Sequence, residues 1–116
     1  MDWAKEAVNY LNSQLDDLSV YHTAPDSKPD EFVTLRLSTT IAYNKVAVQP
    51  QFIIKAWARS RARAAEIADA IRMAMFWADE NVDNVFGVSM VGDYREMTPP
   101  LGYEQRVLTI QWNTNE

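Results

Sequence analysis

A chain of 116 residues with 47% apolar and 23% charged residues has the make-up of a globular protein long enough to bury a core without metals or disulfides. Its formal net charge of −5 excludes the broad basic footprint of a general nucleic-acid binder, and the absence of cysteine excludes disulfide frameworks and thiolate metal sites. No apolar run approaches the roughly 20 residues that cross a bilayer. The start Met1-Asp2-Trp3-Ala4-Lys5-Glu6 is acidic and amphipathic, unlike a signal peptide. The expectation is an intracellular, soluble, single domain over residues 1–116 with no membrane association.

In chain order, Asp2 to Asp17 reads as a first helix, because Ala4, Ala7, Val8, Leu11 and Leu15 recur at steps of three and four. Asp2 is placed to cap it and Glu6 to complement its positive end. Leu18 to His22 fits a short strand. Thr23 to Asp30 holds two prolines among small polar residues and reads as a loop, the best candidate for local mobility. Glu31 to Thr39 alternates with the period of a half-buried strand. Val33, Leu35 and Leu37 take one face; Phe32, Thr34, Arg36 and Ser38 take the other. Tyr43-Asn44-Lys45 supplies a turn tip.

Val48 to Ala58 forms the next strand, with Phe52, Ile54 and Ala56 on one face and Ile53, Lys55 and Trp57 on the other. Pro50 near its beginning implies an edge strand or a strand start. A second helix from Arg61 to Trp77 takes Ser60 as its cap and carries Ala64, Ile67, Ala68, Ile71, Met75 and Ala78 as one apolar stripe. Asp79 to Asn84 is an acidic connection. Val85 to Met97 and Tyr103 to Trp112 form a hairpin about the turn Thr98-Pro99-Pro100-Leu101-Gly102. Phe86, Val88 and Met90 alternate on its first strand, and Gly87 and Gly92 mark a bulge or a close approach. The order predicts an α+β domain: a mostly antiparallel sheet of four to five strands with two helices packed on one face.

Chemistry-bearing constellations are sparse. His22 is the only histidine, and its nearest carboxylates in sequence belong to loops, so it reads as a lone surface histidine. Asp79, Glu80 and Asp83 lack the alternating ligands, central glycine and final glutamate of a calcium loop and read as solvated helix-end residues. Three scattered glycines make no phosphate cradle, and no Gly-x-Ser-x-Gly elbow occurs. The expectation is therefore no catalytic residue, no cofactor and no metal. A small enzyme or ligand-binding domain using His22 and nearby carboxylates is the alternative from another class.

Arg59, Arg61 and Arg63 form the basic cluster. They suit either a phosphate at the helix N-terminus or an ion-pair match with the Asp79 to Asp83 loop of a neighbouring subunit, and the acidic balance of the chain favours the second. Met73, Phe76 and Trp77 lie on the helix side opposite the core stripe, and Ile53 and Trp57 lie opposite Phe52 and Ile54. A two-layer domain has one core, so these apolar groups call for cover from another subunit, or from an early helix end or a folded-over hairpin. The expected subunit-interface set is Trp57, Arg59, Arg61, Arg63, Met73, Phe76, Trp77, Asp79, Glu80 and Asp83.

This arrangement resembles the small tail-terminator or tail-completion proteins of long-tailed bacteriophages. The resemblance is carried by Phe52-Ile53-Ile54-Lys55-Ala56-Trp57-Ala58-Arg59-Ser60-Arg61, by Ala64-Ala65-Glu66-Ile67-Ala68-Asp69-Ala70-Ile71, and by the hairpin from Tyr94-Arg95-Glu96 to Tyr103-Glu104-Gln105-Arg106-Val107. It implies a structural virion protein of the tail or neck, assembled in the host cytoplasm. Such proteins form a homo-oligomeric ring, commonly a hexamer, that caps the tail tube protein, ends tail polymerisation and presents a surface to the head-tail connector proteins. DNA would pass through the lumen without specific binding. The stretch Thr39 to Val46 lacks the glycines expected of that family's strand connection, and a head-tail connector of similar fold fits the same residues.

Overall fold

The computed structural model describes residues 1–42 and 47–115, so the expected turn tip Tyr43-Asn44-Lys45 lies outside the described residues. Helix α1 (Trp3–Gln14) is followed by strands β1 (Val20–Tyr21), β2 (Phe32–Ala42) and β3 (Ala47–Ala58). Helices α2 (Arg61–Phe76) and α3 (Ala78–Asn81) come next, then strands β4 (Val85–Arg95) and β5 (Glu104–Asn115). The strands form one five-stranded sheet in the order β1-β2-β3-β5-β4. Only the β1–β2 pair is parallel; the other three pairs are antiparallel. The fold is α+β, with the helices packed against the sheet.

Local chemistry sets the helix ends. The Asp2 carboxylate accepts the Lys5 amide at 3.1 Å, and the Ser60 hydroxyl accepts the Arg63 amide at 3.2 Å. The stripe read from α2 is the one that is buried: Ala64, Ile67, Ala68, Ile71 and Met75, continued by Ala78. On α1 the buried set is Trp3, Ala7, Val8, Tyr10 and Leu11. The aromatics join it because they surround the fully buried Trp112, with Trp3 at 6.1 Å, Tyr10 at 6.3 Å and Phe52 at 4.9 Å, all edge to face. Both helices thereby cover the sheet face formed by Val33, Leu35, Phe52, Ile54, Ala56, Leu108, Ile110 and Trp112.

Three sequence readings need correction. Asp79 to Asn84 is not wholly a connection, since Ala78–Asn81 makes the short helix α3. Pro50 lies in a central strand, not at an edge. Pro50 is in register with Thr40 of β2, while the β5 register passes from Val48 to Gln51, so the proline falls where the ladder is already interrupted. Phe86 does not share a face with Val88 and Met90, because β4 shifts register between Val85 and Gly87, and again between Met90 and Gly92. Both glycines therefore sit at bulges. A Cβ at Gly87 would stand 3.0 Å from the Asn113 amide nitrogen.

The Tyr10 hydroxyl donates to the Ala74 carbonyl at 2.5 Å and ties α1 to α2. Burial pushes its pKa above the ordinary phenol value. A raised folded-state pKa means that the native protein holds this proton more tightly than the unfolded chain. The resulting stability is complete below the ordinary phenol value of about 10 and is lost as pH rises through the higher folded-state value. Tyr10→Phe is expected to flatten that alkaline loss in denaturant titrations at increasing pH, and to cost about 1 kcal/mol at neutral pH through the lost hydrogen bond, the Ala74 carbonyl keeping the Trp77 N–H as its donor. Trp112→Ala is expected to cost about 3–5 kcal/mol by the same titration at neutral pH, since its ring fills the centre of the core.

Candidate interaction surfaces

The second sheet face is roofed at one end only. Phe32 and Trp57 are register partners on that face and stack at 4.7 Å, with Tyr103 edge-on to both at 6.0 and 5.5 Å. The segment joining β1 to β2 runs over them: the Tyr103 hydroxyl donates to the Pro29 carbonyl at 2.6 Å, and Ala24 packs on the cluster. Trp57 is thus buried by its own chain, at 7% exposure, and its indole N–H donates to the Thr34 hydroxyl at 3.0 Å. The premise that Trp57 awaits cover from another subunit is overturned by the Pro-rich segment itself. That segment is anchored to the cluster at Ala24 and Pro29, while residues 26–30 are exposed.

The arginine cluster is likewise engaged within the chain. Arg59 pairs with Asp30 at 3.1 Å, donates to the Gly102 carbonyl at 2.9 Å and lies 4.1 Å over the Tyr103 ring. Arg61 pairs with Glu104 at 3.1 Å. Arg63 pairs with Glu31 at 2.8 Å and Glu66 at 3.1 Å, contacts that push its pKa further up. The expected match between these arginines and a neighbour's Asp79 to Asp83 loop is replaced by intramolecular carboxylates. Farther along α2, Arg72 bonds Asp69 and Asp93, and Arg106 also pairs with Asp93 at 2.6 Å. These bonds lace the helix to β4 and β5.

The remaining members of the set are at the surface, on one corner. Met73, Phe76 and Trp77 are 62%, 60% and 46% exposed, with the Phe76 and Trp77 rings perpendicular at 5.4 Å. Beside them, α3 exposes Asp79 and Glu80, and Asp83 follows. None of these three carboxylates has an ion-pair partner among the described residues. Between α2 and β4, Met75, Phe76, Val88 and Met90 line an apolar groove of about 200 Å³ with Arg72 at its rim. The structure thus brings the aromatic and acidic members together and holds Trp57 and the arginines elsewhere.

One surface escaped the sequence reading. On the helix-free face, Arg36 and Lys55 flank a cavity of about 200 Å³ that is also lined by His22, Ala24, Ile53 and Trp57. Arg36 faces Ile53 across the ladder, and Lys55 faces Thr34. No carboxylate lines the cavity, and neither cation has an ion pair among the described residues. The period-two pattern already placed Arg36 and Lys55 on this face; only the register shows them adjacent. Among the described residues, no group of three or more His, Cys, Asp or Glu is arranged to hold a metal ion.

Gly102 has φ +85°, and a Cβ there would stand 2.9 Å from the Arg59 guanidinium. Gly102→Ala is therefore expected to cost more than the roughly 1 kcal/mol of a left-handed alanine, because it also dislodges Arg59. Arg59→Glu should lower the thermal midpoint by placing like charge against Asp30. Calorimetry on both variants checks this.

No protein-family model matches the chain, and no curated protein matches it significantly. Among solved structures, a chain of the virion of a native gene transfer agent (GTA) particle is similar in fold, with a TM-score of 0.69 at 14% identity over 95% of this chain and 84% of that one.

Proposed function

We propose that this chain is a structural protein of a phage-like virion, without enzymatic activity, and more finely that it is a tail terminator. In this reading, copies close into a ring, hexameric by the family resemblance, that caps the tail tube, ends its polymerisation and joins the tail to the head. The observation that carries it is the fold likeness to a chain of a gene transfer agent virion, which spans 95% of this chain and 84% of that one. Two features of the surface support it. The corner at the end of α2 exposes Met73, Phe76 and Trp77 together, and clustered apolar surface of this kind marks contacts with other chains. It lies over the β4 side of the sheet, whereas the cationic cavity lies toward the β1–β2 side, so each copy offers two different surfaces, as a head-to-tail ring requires.

The proposed partners are further copies of this chain, the tail tube protein and the head-tail connector. DNA is proposed to traverse the ring without specific binding, since the net charge of −5 repels phosphate. The place of action is proposed to be the tail or neck of the virion.

The test is tail assembly in vitro. Adding the purified protein to polymerising tail tube subunits is expected to arrest growth, with the protein at one end of each tube by immunogold labelling. If tubes grow unchanged while the protein binds the portal end of the head, the connector reading replaces the terminator. If it binds neither, the virion reading itself fails.

A further inference from the structure

We infer that the cavity between Arg36 and Lys55 on one copy receives the acidic α3 corner of a second copy. The carboxylates of Asp79 and Glu80 meet the two cations, and the Phe76 and Trp77 rings lie against its apolar rim at Ile53. This deepens the ring reading by naming the contact that joins neighbours, and it rests on that reading.

Charge accounting singles out the pair. Six arginines, at 59, 61, 63, 72, 95 and 106, are bound to carboxylates of their own chain. Lys5, Lys28, Arg36 and Lys55 have no ion pair among the described residues, and of these only Arg36 and Lys55 share a concavity. Across the molecule, Asp79, Glu80 and Asp83 have no ion pair among the described residues and follow the exposed Phe76 and Trp77 directly in the chain. Each surface combines one sign of charge with apolar area, and each is the complement of the other. Opposite charges set register and encounter, while desolvated aromatics anchor.

Placement requires a second copy. The cavity opens on the helix-free face between β2 and β3, whereas α3 packs against β4 at the far edge, on the helix-covered side. The two patches therefore cannot meet within one chain. A contact between them is heterologous, so repetition of a single rotation either closes a ring or builds a filament.

The test uses charge reversal and its reciprocal. Lys55→Glu and Glu80→Lys are each expected to weaken self-association at least about tenfold in Kd by sedimentation. Glu80 is exposed but Lys55 is half-buried at the cavity wall, so self-association is compared at temperatures where calorimetry shows each variant folded. The chain carrying both substitutions has its charges exchanged across the contact and is expected to regain self-association. Because the chain has no cysteine, Lys55→Cys mixed with Glu80→Cys should give mainly the mixed disulfide dimer under mild oxidation, over either symmetric one. Silent single reversals, no recovery in the doubly substituted chain, or symmetric disulfides in excess would each overturn the contact. So would loss of tail-tube or DNA binding by Lys55→Glu with self-association intact, which assigns the cavity to another occupant. Rings that form through this contact yet leave tail length uncontrolled would refute the terminator reading and leave the contact standing.

Discussion

A five-stranded sheet has two faces, and this chain has helices for one of them. Most of what is distinctive in the structure follows from that shortage. On the covered face, the stripes of α1 and α2 close over Phe52, Ile110 and Trp112, and the hydrophobic effect supplies the drive. On the other face, burial has to be replaced by something else. On β3 and β5, polar side chains bond each other across the ladder, Gln49 to Asn113 at 2.6 Å and Gln51 to Gln111 at 2.8 Å, and along β5, Gln111 to Asn113 at 3.2 Å. Amides facing water on a sheet surface keep it polar and hold the register at little cost. Gly87 belongs to the same device, since a side chain there would crowd Asn113.

At the opposite end of that face, the solution is aromatic. Phe32, Trp57 and Tyr103 form a second small cluster, and the Pro-rich segment between β1 and β2 closes over it. Arg59 is the keystone of this closure. It contacts the segment at Asp30, the hairpin turn at Gly102 and the ring of Tyr103 at once. Each exposed ion pair contributes little alone, in the range of about 0–1 kcal/mol. One guanidinium serving three elements is a different matter, because it fixes their relative positions through planar, directional donors. The arginines at the start of α2 are thus parts of the fold before they are parts of any interface.

Much of this was legible in the sequence, and the exceptions share a cause. Periodicity found the α2 stripe from Ala64 to Ala78 and the alternation of β3, because those patterns are written along the chain, whereas β2 buries Phe32 to Leu35 on both faces and leaves Leu37 exposed. It also flagged Met73, Phe76 and Trp77 as apolar residues without a core, and they are exposed. Trp57 carried the same signal yet is covered, because its cover comes from Phe32 and Tyr103, far away in sequence. The arginines misled for the same reason: their partners Asp30, Glu31 and Glu104 reach them only through strand order. The Arg36 and Lys55 cavity required the register of β2 on β3, which alternation alone does not supply. Asn12 shows the limit most plainly. Its amide bonds both the N–H and the C=O of Val20, so a helix residue serves β1 as a surrogate strand, and no local pattern announces it.

Strand edges bear on how copies of such a chain can meet. The simplest union of two sheets is edge to edge, and it is also the least specific. Here both edges are spoiled for it. Strand β1 has only two residues, and beyond it β2 shifts register between Leu37 and Thr39. At the other edge, β4 has two register shifts within eleven residues. Bulges twist a strand and break the even row of N–H and C=O groups that a second strand would need. With backbone pairing obstructed at both edges, the proposed recognition between copies would fall to side chains that stand above or beside the sheet. That is where the chain has placed its unpaired charges and its uncovered aromatics. A contact built from side chains fixes one angle between neighbours, because a particular carboxylate must find a particular cation, and a fixed angle is what separates a closed ring from an indefinite aggregate.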